Sequence, residues 1–392
     1  MKPSSRLRVT APLALAGLSA LSALGLGACS RGPIDLRIGV AMPLSGPLGA
    51  EGRNLVRAAQ MAAEDIQAAQ GTRGSGLPGA RVAVRIIEAD DQAEESGAVR
   101  AAEALMKQDV SAVVGHLTSA CAIAAAPVYA RGGVPQLSAT THPRLTQLGL
   151  RTTFRLIAND DMQARALARH AVDEFNDQGF AVVDDGSVYA RGLADSVARQ
   201  LGAARQPAAL RHGYEAQATD FPELYAAIER RQVGVVITTM ELAQVRLLLQ
   251  GLVRRGLRQV AVLGGDTLKT GPLPPEAALV RRFVATTPVT EAPEFGGNGR
   301  TFATRYKARH HEPPADTAHY VYDAVHLLAQ AAAIKGSNHG AVLAQALPQL
   351  DPAVPITGYL RFAADGEPRY GAISLYGVSK GQWRLIARSS DW

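Results

Sequence analysis

Short apolar runs alternate with stretches in which apolar residues recur every three to four positions, from about residue 36 to residue 263. The runs read as buried strands and the stretches as amphipathic helices. Strands are predicted over residues 36–42 (LRIGVAM), 82–89 (VAVRIIEA), 112–115 and 134–138 (VPQLS). Helices are predicted over 52–70, 96–108 and the alanine-rich stretch after Gly115. Beyond Thr153 the pattern restarts, with helices over 161–177, 191–201, 221–231 and 242–256 and strands over 180–184, 210–214, 233–238 and 259–263. Strand–helix alternation with short connections means parallel sheets covered on both faces. Two such series imply an α/β protein of two doubly wound parallel-sheet lobes. Gly71 to Gly79 reads as a loop, and 287–299 (TPVTEAPEFGGNG) is the most linker-like segment.

In such folds ligands sit at the C-terminal ends of strands, beside helix N-termini. The residues at those ends therefore carry the functional information. The stretch VVGHLTSACAIAAAPV (113–128) ends a strand at Gly115, turns through His116–Ser119 and begins a helix. Thr118 or Ser119 either caps that helix or adds a hydroxyl donor to its anion-attracting N-terminus. The Ala139-Thr140-Thr141 turn follows another strand, and Gly264-Gly265-Asp266 a third. Asp266 reads equally as a helix cap or a cation acceptor. Together these ends suit a zwitterion, with Ser119 and Thr141 holding a carboxylate and Asp266 an ammonium. Such charges are tolerated out of water only when paired and hydrogen-bonded.

The N-terminus stands apart from this pattern. Lys2, Arg6 and Arg8 precede an apolar run at 13–28, LALAGLSALSALGLGA, which is short for a membrane span and has the layout of a secretory signal. Its end, Leu26-Gly27-Ala28-Cys29, resembles the bacterial lipobox, where the peptide is cut before a cysteine that then carries lipid. The alternative is an ordinary signal with a chance cysteine. Cys121 is the only other cysteine of the 392 residues, so a lipidated Cys29 leaves it without a partner and a structural disulfide is not expected. Cys121 then reads as a small buried apolar residue. Removal of 1–28 takes the formal charge from +6 to about +3 and leaves about 360 residues, enough for two domains. The basic residues are scattered and aromatics make up only 5% of the chain, which argues against nucleic acid as a partner. No G-x-S-x-G, H-E-x-x-H or P-loop pattern occurs, and no His/Cys cluster has metal-site spacing. His310-His311 reads as a solvated helix end. Neither an enzyme nor a bound metal or cofactor is expected.

At this point the sequence resembles the periplasmic binding proteins for branched-chain amino acids (Leu/Ile/Val), the type I receptors of ABC importers. The likeness rests on IGVAMPLSGPLGAEG (38–52), Asp90-Asp91, GHLTSA (115–120), LSATTHPRLT (137–146) and RTTFR (151–155), in that order and spacing. It implies two lobes joined by three crossover strands and closing on ligand in the cleft between them. The lobes would comprise residues 34–156 plus 287–371 and residues 157–286 plus 372–392. It implies that Ser119, in the turn with Leu117 and Thr118, binds the ligand carboxylate. Thr141, beside Thr140, would touch both ends of the ligand, and the Ala139 carbonyl would accept from its ammonium. Asp266 would be the acidic ammonium acceptor, and Tyr189, in SVYARG, would close from the second lobe. The partners implied are a free amino acid and an inner-membrane ABC permease. The protein would be a monomer in the periplasm, anchored through lipidated Cys29, and Ser30 after that cysteine fits outer-membrane sorting.

Departures from the family pattern are informative. Glu51 stands where an aromatic is usual, Glu241 where a second-lobe tyrosine falls, and Thr317 where a phenylalanine lines the side-chain pocket. The family's disulfide is missing, with Thr118 at one of its positions. Apolar side chains are selected by apolar pockets, at about 1–3 kcal/mol per methylene. Extra carboxylates favour a polar or cationic side chain instead, unless Glu51 and Glu241 point to solvent at the cleft rim. A competing expectation is a lipoprotein of the same fold acting as a regulator or scaffold with a protein partner. The joint presence of Ser119, Thr141, Tyr189 and Asp266 argues against it.

Overall fold

The computed structural model describes residues 32–70, 79–351 and 353–389, of which 33 onward forms one compact unit. The signal at 1–28, Cys29, Ser30 and all but the last residue of the loop at 71–79 lie outside the described residues. Among those described, no helix is long and apolar enough to cross a membrane.

The first sheet holds β1 (Ile34–Met42), β2 (Val82–Asp90), β3 (Ala112–Gly115), β4 (Gln136–Ser138) and β5 (Thr153–Arg155), all parallel in the order β2-β1-β3-β4-β5. Its helices are α1 (Gly49–Gln70), α2 (Glu95–Met106), α3 (Ser119–Arg131) and the short α4 (Arg144–Gln147). The second sheet repeats the same order with β6 (Phe180–Asp184), β7 (Leu210–Gly213), β8 (Val235–Thr238), β9 (Ala261–Gly264) and β10 (Arg282–Thr287). Its helices are α5 (Asp160–Glu174), α6 (Val188–Ala203), α7 (Pro222–Glu229) and α8 (Leu242–Arg254). The chain then returns to the first lobe for α9 (Gly296–His310), α10 (Ala318–Lys335), α11 (Gly340–Ala346) and a small ribbon of β11 (Ala353–Val354) and β12 (Gly358–Tyr359). It ends in the second sheet as an antiparallel hairpin, β13 (Ser374–Ser379) and β14 (Gln382–Arg388).

Each sheet is buried on both faces, which is why its strands read as continuous apolar runs. Alanines and leucines of α1 and α10 cover one face of the first sheet, and Ala98, Leu105, Cys121 and Tyr129 of α2 and α3 the other. In the second lobe α5 and α6 cover one face, α7 and α8 the other. The chain passes between lobes three times, through residues 156–159, 288–291 and 369–373, which lie outside the strands of either sheet.

Several boundaries shift for local reasons. Asn159 accepts from the Met162 N–H at 3.0 Å, so α5 begins at Asp160. Ser187 does the same for Ala190 at 3.1 Å, which starts α6 early and puts Tyr189 in its first turn. The helix expected from Gly52 begins at Gly49, so Glu51 lies in its first turn. The segment at 287–299 is no free linker: it ends β10, crosses between lobes and starts α9. α4, β5 and every element after β9, from β10 through α9, α10 and α11 to the terminal hairpin, were not anticipated from periodicity. His310 ends α9 and His311 caps it in a left-handed conformation, as a helix end should.

Candidate functional site

The strand order reverses between β1 and β3 in one sheet and between β6 and β8 in the other. Both crevices open at strand C-termini, and the residues singled out from the sequence lie at those ends. Glu51 follows β1, 117–119 follow β3, and 139–141 follow β4. From the second lobe Tyr189 follows β6, Glu241 follows β8 and Asp266 follows β9. The lobes meet here. The imidazole of His142 lies so close to α6 that a Cβ on Gly192 would sit 2.7 Å from its Nε2.

The hydroxyl side is built on α3. Thr118 is the N-cap, its Oγ1 accepting from the Cys121 N–H at 3.3 Å, and Ser119 is the first helical residue. The cap and the candidate anion donor are thus different residues. Ser119 Oγ accepts from the His142 N–H at 3.4 Å, which ties the helix start to the 139–142 turn. That turn is held from below by Arg155, fully buried, whose guanidinium donates to the carbonyls of Thr140 and of His142 (2.8 Å). Its remaining charge pairs with Glu367 at 3.1 Å. Ser138 Oγ bonds Thr140 Oγ1 at 3.0 Å and donates to the His116 carbonyl at 3.2 Å. His116 is itself buried, with Nδ1 2.6 Å from Asp91 and Nε2 3.1 Å from the Tyr129 hydroxyl. Beneath Leu117, Ala139 and Thr317 lies an apolar void of about 10 Å³, room for one water at most.

The acidic side is built on the second lobe. The Tyr189 hydroxyl donates to Asp266 Oδ1. Burial pushes the Asp266 carboxyl above its ordinary range, against the lowering effect of that hydrogen bond. Asp160, fully buried, joins the lobes by donating its N–H to the Thr141 carbonyl at 2.8 Å. Burial raises its carboxyl to about 8, reinforced by the negative charge of Asp266. Neither Asp160 carboxyl oxygen makes a hydrogen bond of good geometry, although the Thr141 hydroxyl lies beside it. At the rim Glu51 and Glu241 are solvent-exposed, yet both carboxyls are raised by partial burial and by neighbouring charges. Asp316 repels Glu51; Asp185, Asp266 and Glu51 repel Glu241.

Arg155, His116, Asp160 and Asp316 were not singled out from the sequence. Polar residues just past apolar strands were the signal for Asp160 and His116. Nothing local distinguishes Arg155 or Asp316, because their partners come from distant segments.

Paired doubly wound lobes, with the strand ends of both gathered at one cleft, define a two-lobed binding protein that holds a small ligand between its lobes. The chain belongs to the periplasmic binding protein family, whose model matches residues 35–381. It is 28% identical over 350 residues to the Leu/Ile/Val-binding protein homolog 1 of Brucella melitensis, covering 88% of this chain and 91% of that one. In structure it is similar to a leucine binding protein, LivK, of Thermotoga maritima, with a TM-score of 0.74 at 20% identity, covering 91% and 100% of the two chains. It is likewise similar to the branched-chain amino acid transporter substrate binding protein LivJ of Streptococcus pneumoniae in complex with isoleucine, with a TM-score of 0.72 at 22% identity, covering 90% and 98%.

Proposed function

We propose that the protein is the substrate-binding component of an ABC importer, which captures a free α-amino acid by closing its lobes and presents the closed form to an inner-membrane permease. The observation that carries this is the placement of opposite chemistries at one cleft. Ser119 at a helix N-terminus and the Thr141 turn offer donors to a carboxylate. Asp266 and the Ala139 carbonyl offer acceptors to an ammonium. The Leu/Ile/Val-binding relatives support an amino acid as the ligand class. The protein binds and does not convert its ligand, and it acts as a monomer. Its lobes are residues 34–156 plus 287–371 and 157–286 plus 372–392. It works in the periplasm, anchored by lipid on Cys29.

A thermal-shift screen of the full chain in detergent, unfolded and refolded to strip carried-over ligand, tests this reading. At a hundred times the dissociation constant, a ligand adds about 2.7 kcal/mol to stability, which is a rise of several degrees. A rise with one class of amino acid is the expected result. A folded sample indifferent to every amino acid refutes the reading and favours a protein partner. Mass spectrometry of the N-terminus checks the anchor: a diacylglyceryl-modified Cys29 at the mature end is expected.

A further inference from the structure

Among the described residues, three carboxylates at the cleft have neither an ion pair nor a hydrogen-bonded partner: Glu51 and Asp316 from the first lobe and Glu241 from the second. Glu64, Asp65, Glu312 and Glu294 each engage an arginine. Other exposed acids, such as Glu94, Glu103 and Asp220, are also unpaired; what sets these three apart is that Glu51 lies within electrostatic reach of both Asp316 and Glu241. Two cations that act on the cleft acids are already committed. Arg155 is spent on two carbonyls and Glu367. Lys269 pairs with Glu291 at 3.0 Å and lies 3.4 Å from the centre of the Tyr376 ring.

A second, independent observation points the same way. Asp160 has no accessible surface, only the Thr141 hydroxyl lies beside its carboxyl among the described residues, without good hydrogen-bond geometry, and it lies within electrostatic reach of Asp266 and Tyr189. A buried carboxyl so sparsely hydrogen-bonded is costly, and a cationic group beside it offsets that cost. The ammonium of an α-amino acid answers Asp266 and Asp160. It leaves Glu51, Asp316 and Glu241 unanswered, and these sit on opposite lobes. Closing the lobes brings like charges together, which opposes closure unless a cation enters between them.

We infer that the ligand is an α-amino acid with a cationic side chain, whose distal charge is held between Glu51 and Asp316 of one lobe and Glu241 of the other. The inference rests on the amino-acid reading given above and names its side chain. It makes closure itself selective. A neutral side chain leaves the facing carboxylates repelling each other, whereas an ammonium or guanidinium bridges them.

Calorimetry of the stripped full chain with lysine, arginine, leucine, glutamine and 1,5-diaminopentane tests it, alongside the Glu51→Gln, Glu241→Gln double variant. Both positions are solvent-exposed, so the variant should fold, which circular dichroism checks. The expected result is tightest binding of lysine or arginine. In the double variant their affinity should fall by about tenfold or more while that of any neutral amino acid is unchanged or improved. Leucine or glutamine binding more tightly than lysine and arginine overturns the inference and leaves the amino-acid reading standing. So does an unchanged ranking in the double variant. Binding of diaminopentane as tight as lysine overturns the amino-acid reading beneath it, since that ligand has no carboxylate for Ser119 and Thr141.

Discussion

The work of the hydroxyl turn is divided between two adjacent residues. Thr118 satisfies an orphan N–H of α3, so Ser119, whose Oγ accepts only from the His142 N–H among the described residues, keeps its own O–H to donate. Thr118→Ala should therefore cost about 1 kcal/mol of stability, the usual worth of a cap, and leave ligand affinity within a few-fold. Ser119→Ala should do the reverse; urea denaturation and calorimetry on both variants separate the two roles. Arg155 is a stronger case. Its guanidinium is buried beneath the Thr140–His142 turn with Glu367 as counter-ion. Truncation leaves that carboxylate and two carbonyls without their donor, so Arg155→Ala should destabilise by about 3–5 kcal/mol. A loss under 1 kcal/mol in urea unfolding would show that water takes over those bonds. Thr118 and Ser119 were legible in the sequence because caps follow local rules. Arg155 was not, because its partners lie at 140, 142 and 367.

At the scale of elements, the site depends on where helices begin. Asn159, Ser187 and Thr118 each cap a helix that starts at the cleft, and each sets the direction of the first turn behind it. The cap at Ser187 moves the start of α6 to Val188, so that Tyr189 reaches Asp266 and Gly192 faces His142 of the other lobe. Gly192 is needed for that close approach and not for backbone freedom. A Cβ there meets an imidazole at 2.7 Å, and larger side chains meet it sooner. Gly192→Leu should weaken ligand affinity by about tenfold or more through obstructed closure, an overpacking cost of about 1–3 kcal/mol at the contact between the lobes. Small-angle scattering with saturating ligand should then show a larger radius of gyration than the parent. The helix starts themselves were missed by up to three residues from periodicity, which senses the apolar face and not the cap.

For the whole molecule, the cleft concentrates negative charge that folding must tolerate. The carboxyls of Asp160, Asp266, Glu51, Glu241 and Asp316 are all raised above their ordinary values, Asp160 to about 8. A raised carboxyl means that the folded state holds protons the unfolded chain has released. The contribution of these carboxyls to stability should therefore fall as pH climbs from about 4 to about 8, while the buried His319 and His326, held well below the ordinary histidine range, contribute the opposite slope. The Glu51→Gln, Glu241→Gln variant should accordingly lose less stability than the parent over that climb. Arg155 opposes this at Asp160, while Asp161 and Asp266 reinforce it. A cationic ligand prefers the ionised carboxylates, so binding should release protons and tighten with pH over the same range. Melting curves across pH, with and without ligand, check the first expectation. Calorimetry in two buffers of different ionisation enthalpy checks the second. Proton uptake on binding would contradict the assignment of these groups to the ligand cation.

What the sequence determined by itself was set by short-range physics. Alternating apolar runs and helical stretches specify parallel sheets covered on both faces, and two series of them specify two lobes. Motifs at strand ends, such as GHLTSA and LSATTHP, placed Ser119 and Thr141 beside helix starts and turns. The tertiary structure decided what depends on distant segments meeting. It brought Glu51 within reach of Asp316 and Glu241, set Arg155 under the 139–142 turn, and seated the terminal hairpin against β10. It also buried Asp160 with only the Thr141 hydroxyl beside its carboxyl. Electrostatic energy in a cleft depends on distance and burial, and neither is a property of position along the chain.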